Sequence, residues 1–514
     1  MHACLRISEI VKAIFAEVTQ VTENGGVQPS WITLYYLALT CRAFREPALD
    51  ALWAHVPSSE DARSQPVKAS LENAAEFSTS SEMAAASRVR LLRPLVDDDW
   101  TTFQKYARRV RSLTFETYDP FCPGLHDSAA LALLDSHVLP SPLFPLIQEL
   151  NWYDQRDELF PCLQRCISTT ITRLVIHSQC WSSPMADLVA GLGKACPKIK
   201  KFRCSMPPAS ECVMLSDLVT CWGDLEILTT AANARTLQHL TSLKRLRELE
   251  ILVPEGHHLD LASTSSIIFS LHRFSMITSS IESLLPFLAV LQIFTKSVQL
   301  KIEGHTPNTV DLDHLLSPLA EHFKPNVLVS LHIWLPRPID SPNNYLLVPA
   351  SVLQMLRAFT GLTELDLGSM NIFLTDDEVL DLVSAWPQME RLYLGTSWDL
   401  GVTRVGVTFH GLAGVLERCP NLRSLGVNLD TSTLHDLPVY VDHRYIGITS
   451  KKITTLRVGC AECHDVEATG NLLAAMCPNL RQIRRACSVD FWYHAMNWDK
   501  VEGFITQRRM GQPQ

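Results

Sequence analysis

The chain of 514 residues is 46% hydrophobic and 19% charged, so it can bury a large core. Lys and Arg number 45 against 54 Asp and Glu, a formal net charge of −9, and no dense basic run breaks that balance; a nucleic-acid partner is therefore not expected. The 15 cysteines are odd in number and scattered, and no cleavable leader is readable at the start, which points to reduced thiols in a soluble protein of the cytoplasm or nucleus.

Taken in order, Ile7, Ile10, Val11, Ile14, Phe15 and Val18 recur at helical spacing, and Ser8 can cap the start. Glu9, Lys12 and Glu17 interrupt this stretch, which is too short and too charged for a secretory signal or a membrane span. Residues 22–30 (TENGGVQPS) end it with two glycines and a proline. A second helix carries Leu34, Leu37, Ala38 and Cys41 on one stripe. Pro47 suits the first turn of a third, with Ala48, Leu49, Leu52 and Trp53. So small a helical unit has a marginal core and needs a neighbour or a partner. A helical cap for whatever follows would satisfy the same pattern.

These residues carry a resemblance. Leu5-Arg-Ile7-Ser-Glu9-Ile10, then Ile14-Phe15, then Leu37-Ala-Leu39-Thr-Cys41-Arg42-Ala-Phe44, then Leu49 and Leu52-Trp53 resemble an F-box. The likeness is greatest to the F-box proteins of mushroom-forming (basidiomycete) fungi, with their TCRAF and PALD-x-LW segments. Two departures stand out: Ser8 replaces the family's usual proline before the glutamate, and residues 22–30 lengthen the first connection. The resemblance implies docking on the Skp-type adaptor of a cullin–RING ubiquitin ligase. Carried over by position, the adaptor-facing residues would be Leu5, Ile7, Ile10, Ile14, Phe15, Leu37 and Cys41. Residues 1–56 are then the F-box.

Residues 57–105 begin with a Ser-, Ala-, Glu- and Asp-rich stretch that has no period and reads as a flexible linker. Leu91, Leu92, Leu95, Trp100, Phe103 and Tyr106 then suggest a packed helical lead-in. A linker of this kind would leave the helical unit able to reorient.

From 106 to 486 one template recurs: apolar-x-x-apolar-x-apolar, a strand whose anchors share a face. Its instances are Val110/Leu113/Phe115, Ile147/Leu150/Trp152, Ile171/Leu174/Ile176, Ile199/Phe202/Cys204, Leu225/Leu228, Leu246/Leu249/Ile251 and Leu271/Phe274/Met276. A weaker Leu300/Ile302 follows, then Leu328/Leu331/Ile333, Leu362/Leu365/Leu367, Met389/Leu392/Leu394, Leu422/Leu425/Val427, Ile453/Leu456/Val458 and Leu480/Ile483. Leu174 to Phe202 is 28 residues and Leu365 to Leu392 is 27, near the upper end of leucine-rich-repeat periods. The helical stripes keep the same phase. Thr375-Asp-Asp-Glu378 is a capping box before Val379, Leu382, Val383 and Trp386; Cys196, Cys419 and Cys477 close other stripes just before a proline. The array resembles the leucine-rich repeats of F-box proteins, with Cys-Pro-Asn-Leu at 419–422 and again at 477–480. The expected fold is therefore α/β, a leucine-rich-repeat solenoid with a curved parallel sheet and outer helices behind a three-helix unit. Residues 487–514 would be its cap and tail, with Phe491-Trp492-Tyr493 and Trp498 as a packed lid.

Candidate chemistry is sparse. Cys460-Ala-Glu-Cys463-His464 has the spacing of a c-type haem attachment, yet it follows a strand directly, where a repeat needs a loop. A zinc site would need further ligands. His257-His258 reads as a solvated loop pair, and Asp97-Asp98-Asp99 and Asp376-Asp377 suit helix starts. No phosphate-cradling loop, nucleophile elbow or zinc-protease helix is present, so neither catalysis nor a cofactor is expected. The reading is a substrate-recognition subunit of a Skp–cullin–F-box ligase whose repeats bind a target protein of unknown identity. A leucine-rich-repeat scaffold without a ligase role, and a haem or small-ligand sensor built on Cys460–His464, are the competing readings. In either binding role, the side chains between the anchors carry function: Thr363, Glu364 and Asp366, or Glu390, Arg391 and Tyr393.

Overall fold

The short apolar triplets form strands, and every pairing between neighbouring strands is parallel among the described residues. Parallel neighbours need a crossover, and the apolar helical stripes supply it. The computed structural model describes residues 14–15, 31–56, 96–115, 141–154, 156–178, 181–255, 267–304, 309–336, 347–396, 406–434, 448–459, 461–485 and 492–510. They divide into two units, Met1–Thr230 and Ala231–Gln514. Each is a leucine-rich-repeat stack of the α/β class.

The first unit opens with helices α1 (Trp31–Thr40) and α2 (Arg42–Ala54), which lead into the short strand β1 (His55–Val56). Then come α3 (Asp97–Ala107), β2 (Ser112–Phe115), β3 (Glu149–Trp152), α4 (Phe160–Cys166), β4 (Arg173–Ile176), α5 (Ser183–Ala195), β5 (Lys201–Cys204), α6 (Cys212–Val219) and β6 (Ile227–Ala231). The strands lie in sequence order.

Phe15, Leu34 and Ala48 form a small core, with Leu37, Ala38, Phe44, Ala51 and Leu52 packed on it. The Phe15 and Phe44 rings meet edge to face at 5.6 Å. Two expectations need correction here. Helix α2 begins at Arg42, so Pro47 lies inside it and not in a first turn. The helix opens early because the Cys41 carbonyl accepts the N–H groups of Phe44 and Arg45. Nor is the helical unit loosely tethered. Strand β1 pairs with β2, Trp53 packs on Tyr106 with centroids 4.9 Å apart, and Arg109 joins both Glu46 and Asp50 of α2. Residues 57–95, which hold the expected linker, lie outside the described residues.

The second unit runs α7 (Ala234–Thr241), β7 (Glu248–Val253), β8 (Ile267–Thr278), α8 (Ile281–Val290), β9 (Leu291–Ile302), α9 (Thr309–His322), β10 (Ser330–Trp334), β11 (Leu347–Val348), α10 (Ala350–Leu353), β12 (Glu364–Leu367), β13 (Asn371–Ile372), α11 (Asp376–Val383), β14 (Arg391–Leu394), α12 (Phe409–Arg418), β15 (Ser424–Gly426), β16 (Thr455–Arg457), α13 (Val466–Met476), β17 (Gln482–Arg484) and α14 (Trp492–Met510). Its main sheet has the order β7-β8-β9-β10-β12-β14-β15-β16-β17, while β11 and β13 pair separately.

The anchors are core: Leu362, Leu365 and Leu367 are all fully buried, as are Ile171, Leu174 and Ile176. One rung sits two residues earlier than the template placed it. Strand β9 pairs Leu271 with Thr295, Phe274 with Val298 and Met276 with Leu300, so the triplet is Thr295/Val298/Leu300. Thr295 hides an anchor from an apolar template; it is buried, and its hydroxyl donates to the Ser297 carbonyl.

A backbone device repeats at the entrance to strands. Glu390 and Arg391 both donate N–H to the Thr363 carbonyl, Arg423 and Ser424 to Glu390, and Thr454 and Thr455 to Arg423. The cysteine–proline helix ends recur as well: the Cys196 thiol donates to the Ser168 carbonyl and Cys419 to Trp386, each at 3.5 Å. At the last strand, the Ile483 N–H donates to the Glu502 carboxylate of α14, and the Trp498 indole donates to the Ala461 carbonyl. A helix thus closes a sheet edge that would otherwise offer unpaired donors.

Leu365→Ala should lower unfolding stability by about 2–5 kcal/mol, the range for truncating a packed core leucine, in urea titration. Burial pushes the Cys162 and Cys212 thiols up to about 11 and Cys196, Cys419 and Cys477 to about 12. Cys221 is exposed. Brief iodoacetamide treatment of native protein should therefore alkylate Cys221 before Cys196, Cys212 or Cys419, as read by peptide mapping; early labelling of those three would contradict their burial.

Candidate functional site

On the strands of the second unit, the anchors turn one way and the residues between them face the other, forming rows across the sheet. The pairings align Glu250, Ser275, Gln299, His332, Asp366, Tyr393, Gly426, Arg457 and Arg484 in one row. Two residues upstream runs a second row: Glu248, Arg273, Ser297, Ser330, Glu364, Arg391, Ser424, Thr455 and Gln482. This polar face is the candidate binding surface.

Glu364 organises its middle. Arg391 reaches it with a two-pronged bond, Nε to Oε1 at 2.7 Å and Nη2 to Oε2 at 2.6 Å. His332 Nε2 lies 3.4 Å from Glu364 and shares a 2.9 Å hydrogen bond with the Ser330 hydroxyl, which itself donates to Glu364. Burial alone would push the Glu364 carboxyl up, but the hydrogen bonds and charges of His332 and Arg391 outweigh it and hold the group at about 2. Asp366 turns partly back on its own strand end, accepting the Gly368 N–H at 2.9 Å.

Farther along, Tyr393 is almost buried on this face, and its hydroxyl donates to Ser424 Oγ at 2.7 Å. The Arg457 guanidinium lies 3.9 Å from the centre of the Tyr393 ring. Gly426 stands between them in register, and a Cβ there would come within 2.8 Å of the Tyr393 ring. The missing side chain is what lets arginine and tyrosine stack across an intervening strand. Glycine is required for a different reason at 459, where φ is +62° and a side chain would strike Asn428, whose amide donates to the Ile372 and Gly395 carbonyls.

Towards β8, β9 and β10 the same face sinks into a cleft of about 330 Å³. Gln299, Lys301, His332, Trp334 and Asp366 line it, with Glu250 and Ser275 at one side. The Lys301 ammonium sits 5.3 Å from the Trp334 ring centre and pairs with Glu303 at 2.6 Å. The exposed Trp334 indole thus stands between charges of both signs.

Of the face residues expected from the sequence, Glu364, Arg391 and Tyr393 enter this network, and Glu390 pairs with Arg423 at 3.6 Å. Thr363 is structural, its hydroxyl donating to the Val329 carbonyl. His332, Lys301, Trp334 and Arg457 were missed. His332 and Arg457 hold the same between-anchor position as Asp366, so position could have pointed to them; their partners lie on other strands.

The expected adaptor-facing residues are scattered in their surroundings. Leu5, Ile7 and Ile10 lie outside the described residues. Ile14 is exposed, Leu37 is half-buried against the helical core, and Cys41 is half-buried just before α2. Phe15 does not face outward: it is buried in the small core with Leu34 and Ala48. The residues that face solvent are instead Tyr35, Tyr36 and Leu39, more than half exposed on α1.

In the Cys-x-x-Cys-His stretch, Cys460 lies outside the described residues. Cys463 is buried, and its thiol is directed at the Asp465 carbonyl and Thr469 hydroxyl. His464 Nδ1 is bonded to Thr431 Oγ1 at 3.1 Å. These contacts tie one loop to the next. Among the described residues, no group of three or more His, Cys, Asp or Glu could hold a metal ion, and no helix is long and apolar enough to cross a membrane. His257 and His258 lie outside the described residues.

No family model matches the chain, and no curated protein matches it. Similar solved structures include the complex of Rad7 and Elc1 in yeast, at 11% identity over 83% of this chain and 93% of that one, with a TM-score of 0.32. Another is the Toll–Spatzle complex of Drosophila, at 12% identity over 72% of this chain and 55% of that one, TM-score 0.27. Likenesses this distant carry no functional argument.

Because Glu364 is held below its ordinary 4.5, its share of stability is complete above that value and is lost as pH falls through about 2. Glu364→Gln should therefore lower the melting temperature above pH 5 and flatten its fall between pH 4.5 and 2. An unchanged slope in differential scanning fluorimetry would remove Glu364 from this role.

Proposed function

We propose that this protein is a non-catalytic substrate-recognition subunit of a Skp–cullin–F-box type ubiquitin ligase, acting in the cytoplasm or nucleus. The N-terminal helices hold the adaptor, and the polar sheet face of the second unit holds a target protein. One observation carries the ligase half: α1 presents Tyr35, Tyr36 and Leu39, with Ile14 from the preceding helical turn, as exposed apolar side chains on a helical unit that has the F-box residue pattern. Residues 1–56 would be the adaptor-binding domain, 106–486 the target-binding repeats, and 487–514 the closing segment.

The ties from α2 to the first repeats give this reading a mechanical sense. The Arg109, Trp53 and β1 contacts make the adaptor-binding helices part of the first unit's repeat stack and hold them at a defined position within it. The same ties favour the second reading, in which the helices only cap a leucine-rich-repeat binding protein with no ligase role.

Capture separates the two. Full-length protein should retain a purified Skp-type adaptor, and Tyr36→Asp with Leu39→Asp should cut retention at least about tenfold, as expected for hot-spot side chains, without lowering the melting temperature. If wild type retains no adaptor, the cap reading replaces this one.

A further inference from the structure

We infer that Arg457 and Arg484 form a carboxylate-binding subsite on the sheet face, which takes an acidic segment of the partner protein. This deepens the reading of that face as the target surface and rests on it, but not on the adaptor.

The two arginines are register partners on adjacent strands β16 and β17, with backbones roughly 4.8 Å apart. Arg457 lies on the open side of the sheet, since its flanking anchors Leu456 and Val458 are buried, and its register partner Arg484 is exposed. The arginines of the neighbouring rungs are neutralised, Arg391 by Glu364 and Arg423 by Glu390. Among the described residues, no carboxylate pairs with Arg457 or Arg484. Arg457 is also held in place. Its guanidinium stacks on Tyr393, the Tyr393 hydroxyl is anchored on Ser424, and Gly426 clears the space between. The Arg457 Nε is buried and lacks an acceptor. A half-buried guanidinium pre-oriented on an aromatic ring, beside a second, exposed guanidinium, is complementary to an oxyanion.

The neighbourhood selects among oxyanions. Glu364, Asp366 and Glu390 lie on the rungs before this pair, and the whole chain carries −9. A long polyphosphate chain crossing the sheet would meet those carboxylates, whereas a short run of Asp or Glu side chains meets only the arginine pair. The occupant is therefore an acidic peptide segment, with its carboxylates on Arg457 and Arg484.

The test uses the intact chain and a fluorescein-labelled twelve-residue Gly/Ser peptide carrying four central glutamates, read by fluorescence anisotropy at low salt. The same peptide with four glutamines is the reference. The glutamate peptide should bind and the glutamine peptide should not. Arg457→Gln with Arg484→Gln should weaken binding by about tenfold or more, the size of a charge-assisted pair, while Arg423→Gln with Arg481→Gln changes it less than about twofold. Arg484→Gln alone, at an exposed position, keeps the test valid if the double variant fails to fold; it should weaken binding at least threefold. Equal affinity for both peptides, or equal loss in the Arg423/Arg481 control, overturns the proposal. So does binding confined to a phosphoserine version of the peptide. Adaptor capture is unaffected by any of these outcomes, so failure here and failure of the ligase reading are told apart.

Discussion

Strands of three or four residues cannot satisfy their own backbones, and each rung here borrows from the one before it. Two consecutive N–H groups at a strand's start converge on a single carbonyl of the preceding rung, from Thr363 to Glu390 to Arg423 to Thr454. That arrangement demands parallel neighbours, parallel neighbours demand a crossover, and the crossover helix must bury its apolar stripe against the anchors. Core, sheet and helix therefore follow from one constraint. The cost falls at the ends, where a donor has no next rung, and α14 meets it by turning the Glu502 carboxylate onto the Ile483 N–H.

The anchors consume one side of every strand and leave the other to vary without penalty to the core. In the second unit that freedom has been used unevenly. Around β10, β12 and β14 the charges are mutually satisfied, with Glu364 held ionised by His332 and Arg391. At β16 the Arg457 guanidinium is oriented by an aromatic ring and by a missing side chain at Gly426, not by an opposite charge, and Arg484 stands beside it in register on β17. The first arrangement stiffens the face. The second leaves it able to bind.

In the first unit the same economy joins what the sequence reads as separate parts. A two-residue strand at the end of α2 is enough to enter the sheet, and Arg109 spans to Glu46 and Asp50. Phe15 shows the complementary limit of pattern reading: an apolar residue on a helical stripe is as good a core residue as a docking residue. It is core here, because the unit has few others of its size.

By itself the sequence determined the repeat. The spacing of Leu362, Leu365 and Leu367, the phase of Val379, Leu382 and Val383 behind the Thr375–Glu378 cap, and the prolines after Cys196 and Cys419 are local features, each decided within a few residues. It determined equally that the open-face positions, not the anchors, could carry function. It did not reveal the rung at Thr295, because a hydroxyl satisfied by its own backbone imitates an apolar anchor only once folded. Nor did it reveal the pairing of Arg457 with Tyr393 across Gly426, or of Glu364 with His332 and Arg391. Those partners stand about thirty residues or more apart in the chain and roughly one or two strand spacings apart in space. Only the stacking of rungs, each in register with the last, decides which side chains meet.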